Sequence, residues 1–380
     1  IVWITIRAIK GVLLDVLYSF GFAFILYDIY KKKWTVFFNL LKNAVIVSVT
    51  ILCCYSLIEI LYLAGNITAK EILIIINPYI HPIAISNGWW PPLLWGGQLR
   101  SVFPEPSNMG NYLAFAIPFL WAHLFLSPKI NIPVIILTTF YTTMIFLTRA
   151  RTAVLIYIVL FGLLVIFSLY IRNFIIKKKI LIVFAISLVA FCSSLLLINN
   201  CINNNTIDEN VAVTEYIEDN IGSITNPSKR SNGARFALIR SNFKTGLSHP
   251  FFGVGNLLNS AYTIHNLDIN ALQNAEVKLW INHYNNEGVL KYGIDAMNEY
   301  VTRFAVNGVV GLIVYMFPFF YIVSKLIKTI KKVDKEKQLY IMFVLMGIIG
   351  TVIAGCNGSL NAFYTYWMIL PLGYAIKYGK

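Results

Sequence analysis

Apolar runs recur along the whole of this chain, and many are close to the roughly 20 residues that a helix needs to cross a bilayer. Within hydrocarbon the backbone's polar groups have to be satisfied inside each segment, so these runs read as helices. Charged residues make up 13% of the sequence and hydrophobic residues 58%, whereas a soluble domain carries about 25% charged residues. Spans are expected at 8–30, 43–64, 110–127, 132–148, 152–170, 180–198, 304–324, 339–356 and 361–376. The fold class is therefore all-α, a polytopic helical membrane bundle with a large external, partly helical loop. The chain opens on Ile1 and enters an apolar run almost at once, so sequence before it, another span included, is expected.

A net charge of +14 would suit nucleic acid. The basic residues, however, fall mostly in short clusters between apolar runs. Lys31–Lys33, Arg172 with Lys177–Lys179, Lys325 through Lys337, Lys129, and the end residues Lys377 and Lys380 all lie on one side of the expected topology. That is the positive-inside pattern, which makes the side cytoplasmic and removes nucleic acid as a partner. The chain then divides into membrane spans over 1–198, with a short external segment at 65–109, a large external loop over 199–303, and C-terminal spans over 304–380. Four of the five histidines (His81, His249, His265, His283) are external. The five cysteines are scattered, most of them in apolar runs, and form neither a disulfide framework nor a metal-type spacing.

Long loops are uncommon without a role, so chemistry is sought outside. Thr148-Arg149-Ala150-Arg151-Thr152 joins two apolar segments by a short external turn, against the positive-inside bias. An arginine at membrane depth costs about 2.5–3.5 kcal/mol, and an anion at the interface offsets that; pyrophosphate fits the guanidinium fork. Snorkelling to lipid phosphates is the plainer reading. A second cluster runs Arg230-Ser-Asn-Gly233-Ala-Arg235-Phe-Ala-Leu-Ile-Arg240. Residues 234–246 read as an amphipathic helix with Phe236, Ile239, Phe243 and Leu247 on one stripe. Arg235 in its first turn opposes the helix dipole, which a bound anion would explain; an interfacial helix with a basic edge is the alternative. The helix ends at His249-Pro250-Phe-Phe-Gly253-Val-Gly255, a tight glycine turn.

The third cluster is Met297-Asn298-Glu299-Tyr300 with Arg303, followed by Gly308-Val-Val-Gly311. Glu299 and Arg303 share a helix face. They are either an ordinary ion pair, worth little, or a carboxylate poised to deprotonate a sugar hydroxyl. Gly308 and Gly311 read as close-packing positions. In the first external segment Trp89-Trp90 reads as an interface anchor, with Arg100 before Pro104-Glu-Pro-Ser-Asn108 a further anion-binding candidate. No glycine-rich phosphate loop, Asp-x-Asp pair, His-Glu-x-x-His motif or nucleophile elbow is present. That argues against a nucleotide-driven pump and a metalloprotease, and weakens a metal-dependent, nucleotide-sugar transferase.

In this order the three clusters resemble the O-antigen ligase and polymerase superfamily of bacterial inner membranes, over roughly residues 95–325. The resemblance rests on Arg100 through Asn108 with Gly110-Asn111-Tyr112, on Thr148 through Arg151, on Gly233-Ala-Arg235 leading to Gly253-Val-Gly255, and on Asn298-Glu-Tyr300 leading to Gly311. It implies a helical, multi-spanning enzyme that transfers a glycan from a polyprenyl diphosphate to an acceptor hydroxyl at an external site, with neither nucleotide nor obligatory metal. Arg151 and Arg235 match the arginines thought to hold the diphosphate, with Arg100, Arg149, Arg230, Arg240, His249, Asn298 and Arg303 as further substrate-binding candidates. Many members, ligases especially, have His where this chain has Met297, and a thioether accepts no proton. Glu299, His249 or His283 is then left as base, or the acceptor needs little deprotonation.

The sequence therefore predicts an inverting polymerase of undecaprenyl-diphosphate-linked repeats. The bilayer and a chain-length regulator are its expected partners. Three rivals are a ligase onto lipid A core or another acceptor, a lipid-linked oligosaccharide flippase or other transporter, and a non-enzymatic scaffold. A transporter calls for mid-membrane charge, for which Asp15 and Lys42 are the loose candidates.

Overall fold

The computed structural model describes residues 2–81, 97–171, 174–202, 216–218, 222, 232–256, 258–288 and 292–379. Arg230, Trp89, Trp90 and the acidic stretch 203–215 lie outside the described residues. The chain is 82% helical, without a strand among the described residues. Among the described residues seven helices are long and apolar enough to cross a membrane, so the protein is a polytopic helical membrane bundle. The helices over the expected spans 132–148 and 361–376 are shorter, at 16 and 15 residues. Two compact units form, each drawing on separate stretches of the sequence.

One unit comprises residues 34–222 and 328–350. It contains α3 (Trp34–Leu63), α4 (Ile67–Ile80), α5 (Pro106–Leu126), α6 (Ile132–Leu147), α7 (Arg151–Ile171) and α8 (Phe174–Leu197). α5 is its core: Met109 through Ala122 are buried without a break. Gly110 permits this, because a Cβ there would lie 2.8 Å from the Ala153 Cα of α7. α6 packs on α8, and Thr138, Thr142 and Thr143 return their hydroxyls to carbonyls four residues earlier. Each is thereby satisfied without water. The Lys179 ammonium, from one of the basic clusters, donates to the carbonyls of Phe125 and Ser127. α4 is not among the helices that the sequence predicts. The Asn66 side chain caps it by accepting from the Ala69 N–H, and at 14 residues it is too short to span.

The other unit comprises 1–33, 223–327 and 351–380. α1 (Val2–Val16) passes through a π-turn, Leu17–Gly21, into α2 (Phe22–Tyr30). The π-turn buries Ser19, whose hydroxyl donates to Asn361 Oδ1. α2 packs on α15 (Tyr364–Tyr378) through edge-on aromatic contacts of Phe22 with Tyr364 and Tyr27 with Tyr374. Between them in sequence this unit also carries α9 (Asn232–Ser248), α10 (Asn259–His265), α11 (Ile269–Gln273) and α12 (Ala275–Glu287). α9 spans the predicted helix, but it turns the opposite face inward. Ala234, Ala237, Leu238, Ser241, Asn242, Thr245 and Gly246 are buried, while Phe243 and Leu247 are exposed. Small residues win the interior because the neighbours come close: a Cβ on Gly246 would overlap the Phe304 ring.

α13 (Glu299–Ile330) is broken at Gly308, which has φ +65° and ψ −172°. The turn after His249 is stitched into that break. Val309 and Val310 N–H donate to the carbonyls of Pro250 and Phe251, and Val254 and Gly255 N–H donate to those of Ala305 and Val306. The main-chain groups that a broken helix frees are thus satisfied inside the protein, as an apolar setting demands. The sequence predicts close helix packing at Gly308. The structure instead uses it for close approach of a loop backbone, since a Cβ there would lie 2.2 Å from Phe251 O.

Candidate active site

In the unit built around α5, Arg100 lies in the segment that leads to α5. Its neighbour Leu99 donates from N to Leu147 O at 3.2 Å, at the end of α6. The segment thus runs beside the turn that carries Arg149. Arg100 is fully buried. Its backbone N–H and that of Ser101 donate to the Glu59 carboxylate, Ser101 at 2.7 Å. The guanidinium lies looser, with Nε 3.9 Å from Glu59 Oε1, and its three nitrogens make no hydrogen bond among the described residues. A buried guanidinium left so is costly. His81 is buried in the same unit; desolvation, and then the Arg100 charge, push its pKa down to about 4, which keeps the ring neutral.

The turn Thr148–Ala150 is locally built. The Thr148 hydroxyl donates to Ile145 O and accepts from Ala150 N–H. Arg149 sits at φ +47°, and Arg151 opens α7. Both are half-buried.

In the other unit, Arg235 lies in the first turn of α9, and Nη1 donates to Asn357 Oδ1 at 2.8 Å. The neighbouring Cys356 carbonyl accepts from Asn298 Nδ2, and Asn298 Oδ1 accepts from the N–H groups of Tyr300 and Val301. Asn298 therefore caps α13 and shares the 356–357 turn with Arg235. Glu299 is buried and committed: Oε1 accepts from Arg303 Nε at 2.7 Å, and Oε2 accepts from Leu360 N–H at 3.1 Å. Arg303 Nη2 reaches Asp15 Oδ2 at 3.1 Å, and its guanidinium covers the Tyr315 ring at 4.8 Å. Asp15, the acid that a transporter reading needs, is thus held in an ion pair. Arg240 is exposed and donates from Nε to Phe236 O. His249 contacts the Ser248 hydroxyl and the Tyr262 ring. Met297 sits at φ +50°.

Among the described residues, the non-glycine positions in left-handed backbone are Ser101, Arg149 and Met297. Each costs about 1–3 kcal/mol, and each touches or belongs to one of the sequence clusters. Residues 134–316 match the family model described as O-antigen ligase. That stretch is an O-antigen ligase family domain. For that stretch the match supports a function of the O-antigen ligase or polymerase type in general. Neither a curated protein nor a solved structure matches the chain. The O-antigen ligase stretch takes in Arg149, Arg151, Arg235, Arg240, His249, Asn298, Glu299 and Arg303, and leaves Arg100, Glu59 and Asn357 outside.

Arg100, Arg149 and Arg151 thus belong to one unit, and Arg235, Arg240, His249, Asn298, Glu299 and Arg303 to the other. Three residues escape sequence reasoning, and of a fourth, Asp15, the partner does. Glu59 lies inside an apolar run and reads as part of a span. Asn357 follows the end of α14 (Lys335–Ala354) with no motif around it. Asp15 is visible as a charge in an apolar run, but its partner is 288 residues away. Asp295 stands four residues before Glu299, and only its nearness to Met297-Asn298 marks it.

Proposed function

We propose that the protein polymerises lipid-linked oligosaccharide repeats on the extracytoplasmic face of a bacterial inner membrane. The growing chain on undecaprenyl diphosphate is the donor, and a hydroxyl of a new lipid-linked repeat attacks its anomeric carbon with inversion. The observation that carries polymerase over ligase is Met297. It stands beside the capping Asn298, where many ligases have a proton-accepting His. Arg235 is the candidate for holding the departing diphosphate, with Arg240 as a further cationic contact of its unit; Arg151, with Arg149 and Arg100, is the anion-binding candidate of the other unit. The half-burial of Arg149 and Arg151, and the unsatisfied guanidinium of Arg100, support an anionic ligand for these residues. No metal cluster occurs among the described His, Cys, Asp and Glu residues. Arg303, by contrast, is engaged with Glu299 and Asp15, and we assign it to positioning.

The test is a reconstituted assay with the cognate undecaprenyl-diphosphate repeat and no nucleotide. The wild type should give a ladder of lengthening glycans. Arg235→Ala and Arg151→Ala should each slow it about 100–1000-fold, the usual loss when one preorganised charge donor is removed from a developing anion. A protein that passes glycan only to lipid A core would overturn polymerase in favour of ligase.

A further inference from the structure

Glu299 is sealed on both oxygens, His249 meets Ser248 and Tyr262, and His283 faces Glu287 at 3.2 Å, and a nearby carboxylate is a better-placed acceptor for the reaction proposed above. Asp295 lies in the segment between α12 and α13. The segment is pinned: Ile294 N–H donates to Ser260 Oγ at 2.9 Å, and Asn259 Nδ2 donates to Asp295 Oδ1 at 3.1 Å. Ser260 and Asn259 are themselves buried at the start of α10. The side chain is thereby held by its Oδ1, while Oδ2 accepts nothing among the described residues. Asp295 is exposed to solvent, yet the protein crowds it enough that desolvation raises its pKa above the ordinary aspartate value. Charges acting on it are Glu299 and Asp15, which raise the pKa, and Arg303, which lowers it. Two residues on is Met297, and three residues on is Asn298, which shares the 356–357 turn with Arg235.

We propose that Asp295 Oδ2 is the proton acceptor for the attacking sugar hydroxyl, an assignment that rests on the polymerase reading. The acceptor oxygen forms its bond to the donor's anomeric carbon as the bond from that carbon to the diphosphate oxygen breaks. The bonding pair leaves with the lipid diphosphate, the hydroxyl proton passes to Asp295, and solvent then takes it from the open face. A positioned carboxylate is used here in the ordinary way of general-base catalysis, worth about 100–10,000-fold.

The test uses the full-length protein in the ladder assay across pH. The wild-type rate should rise with pH as Asp295 loses its proton, with an acid limb above the ordinary aspartate value. Asp295→Asn, nearly isosteric, should lower the rate about 100-fold or more and flatten that limb, while its binding of the lipid-diphosphate donor stays at the wild-type level. Asn259→Ala keeps the carboxylate but removes the hydrogen bond that favours its charged form, so its acid limb should move to higher pH. A ladder from Asp295→Asn at the wild-type rate, or an unmoved limb in Asn259→Ala, overturns the inference and leaves polymerase standing. A wild type that makes no polymer from the repeat overturns both.

Discussion

Arg303→Ala should lower stability by about 3–5 kcal/mol, the usual result of removing one partner from a buried ion pair. Glu299 is 4% exposed and Arg303 16% exposed at the side chain, so the carboxylate left behind has almost no access to water. Arg303 also neutralises Asp15 from α1 and covers the Tyr315 ring, so both contacts go with it. The measurement is the apparent melting temperature of purified protein in detergent, followed by the loss of the monodisperse species. The double variant Glu299→Gln/Arg303→Met should recover much of the loss, because it deletes both charges and keeps an acceptor for the Leu360 N–H. If the double variant is as unstable as the single one, the loss belongs to packing rather than to a stranded charge.

The second large effect concerns Gly308. Its backbone angles lie in a region that is essentially glycine's alone, and holding another residue there costs about 1–3 kcal/mol. The new methyl would also meet Phe251 O at 2.2 Å, and that oxygen is backbone, which cannot rotate away. Gly308→Ala should therefore greatly reduce the yield of folded protein or melt it many degrees early. Gly162 of α7 is the control, because a methyl added there meets no atom within 4 Å. Gly162→Ala should be neutral or slightly stabilising, since alanine outranks glycine within a helix. Equal loss in both variants would mean that the break in α13 is not under the stated constraint.

The spans are legible because an apolar run of bilayer length has few other solutions in sequence space. α4 is not, because Lys70-Glu71 and Pro78 give its stretch the look of a polar external segment, and the cap at Asn66 is visible only once the helix is known. The i,i+4 relation of Glu299 and Arg303 can be read locally, whereas the third member, Asp15, is joined through tertiary structure alone. The amphipathic stripe of α9 follows from periodicity. It fails because the partners of α9 come near enough to prefer small side chains, so the aromatic edge is left outside. The arginines stand out by their cost at membrane depth. Which of them are already occupied by protein acceptors, as Arg303 is, depends on contacts that no local pattern encodes.

The four main-chain hydrogen bonds that join residues 250–255 to the break in α13 recognise no side chain. They act as a hinge plate whose fastening is independent of what the loop carries. Side chains flanking the plate, such as exposed Phe252, are therefore open to replacement without unfastening it. A displacement of the loop, in turn, is delivered directly to the axis of a membrane helix, one short step beyond the Arg303 anchor. A spectroscopic label at Phe252 would then report on movement of that helix as much as on the loop itself.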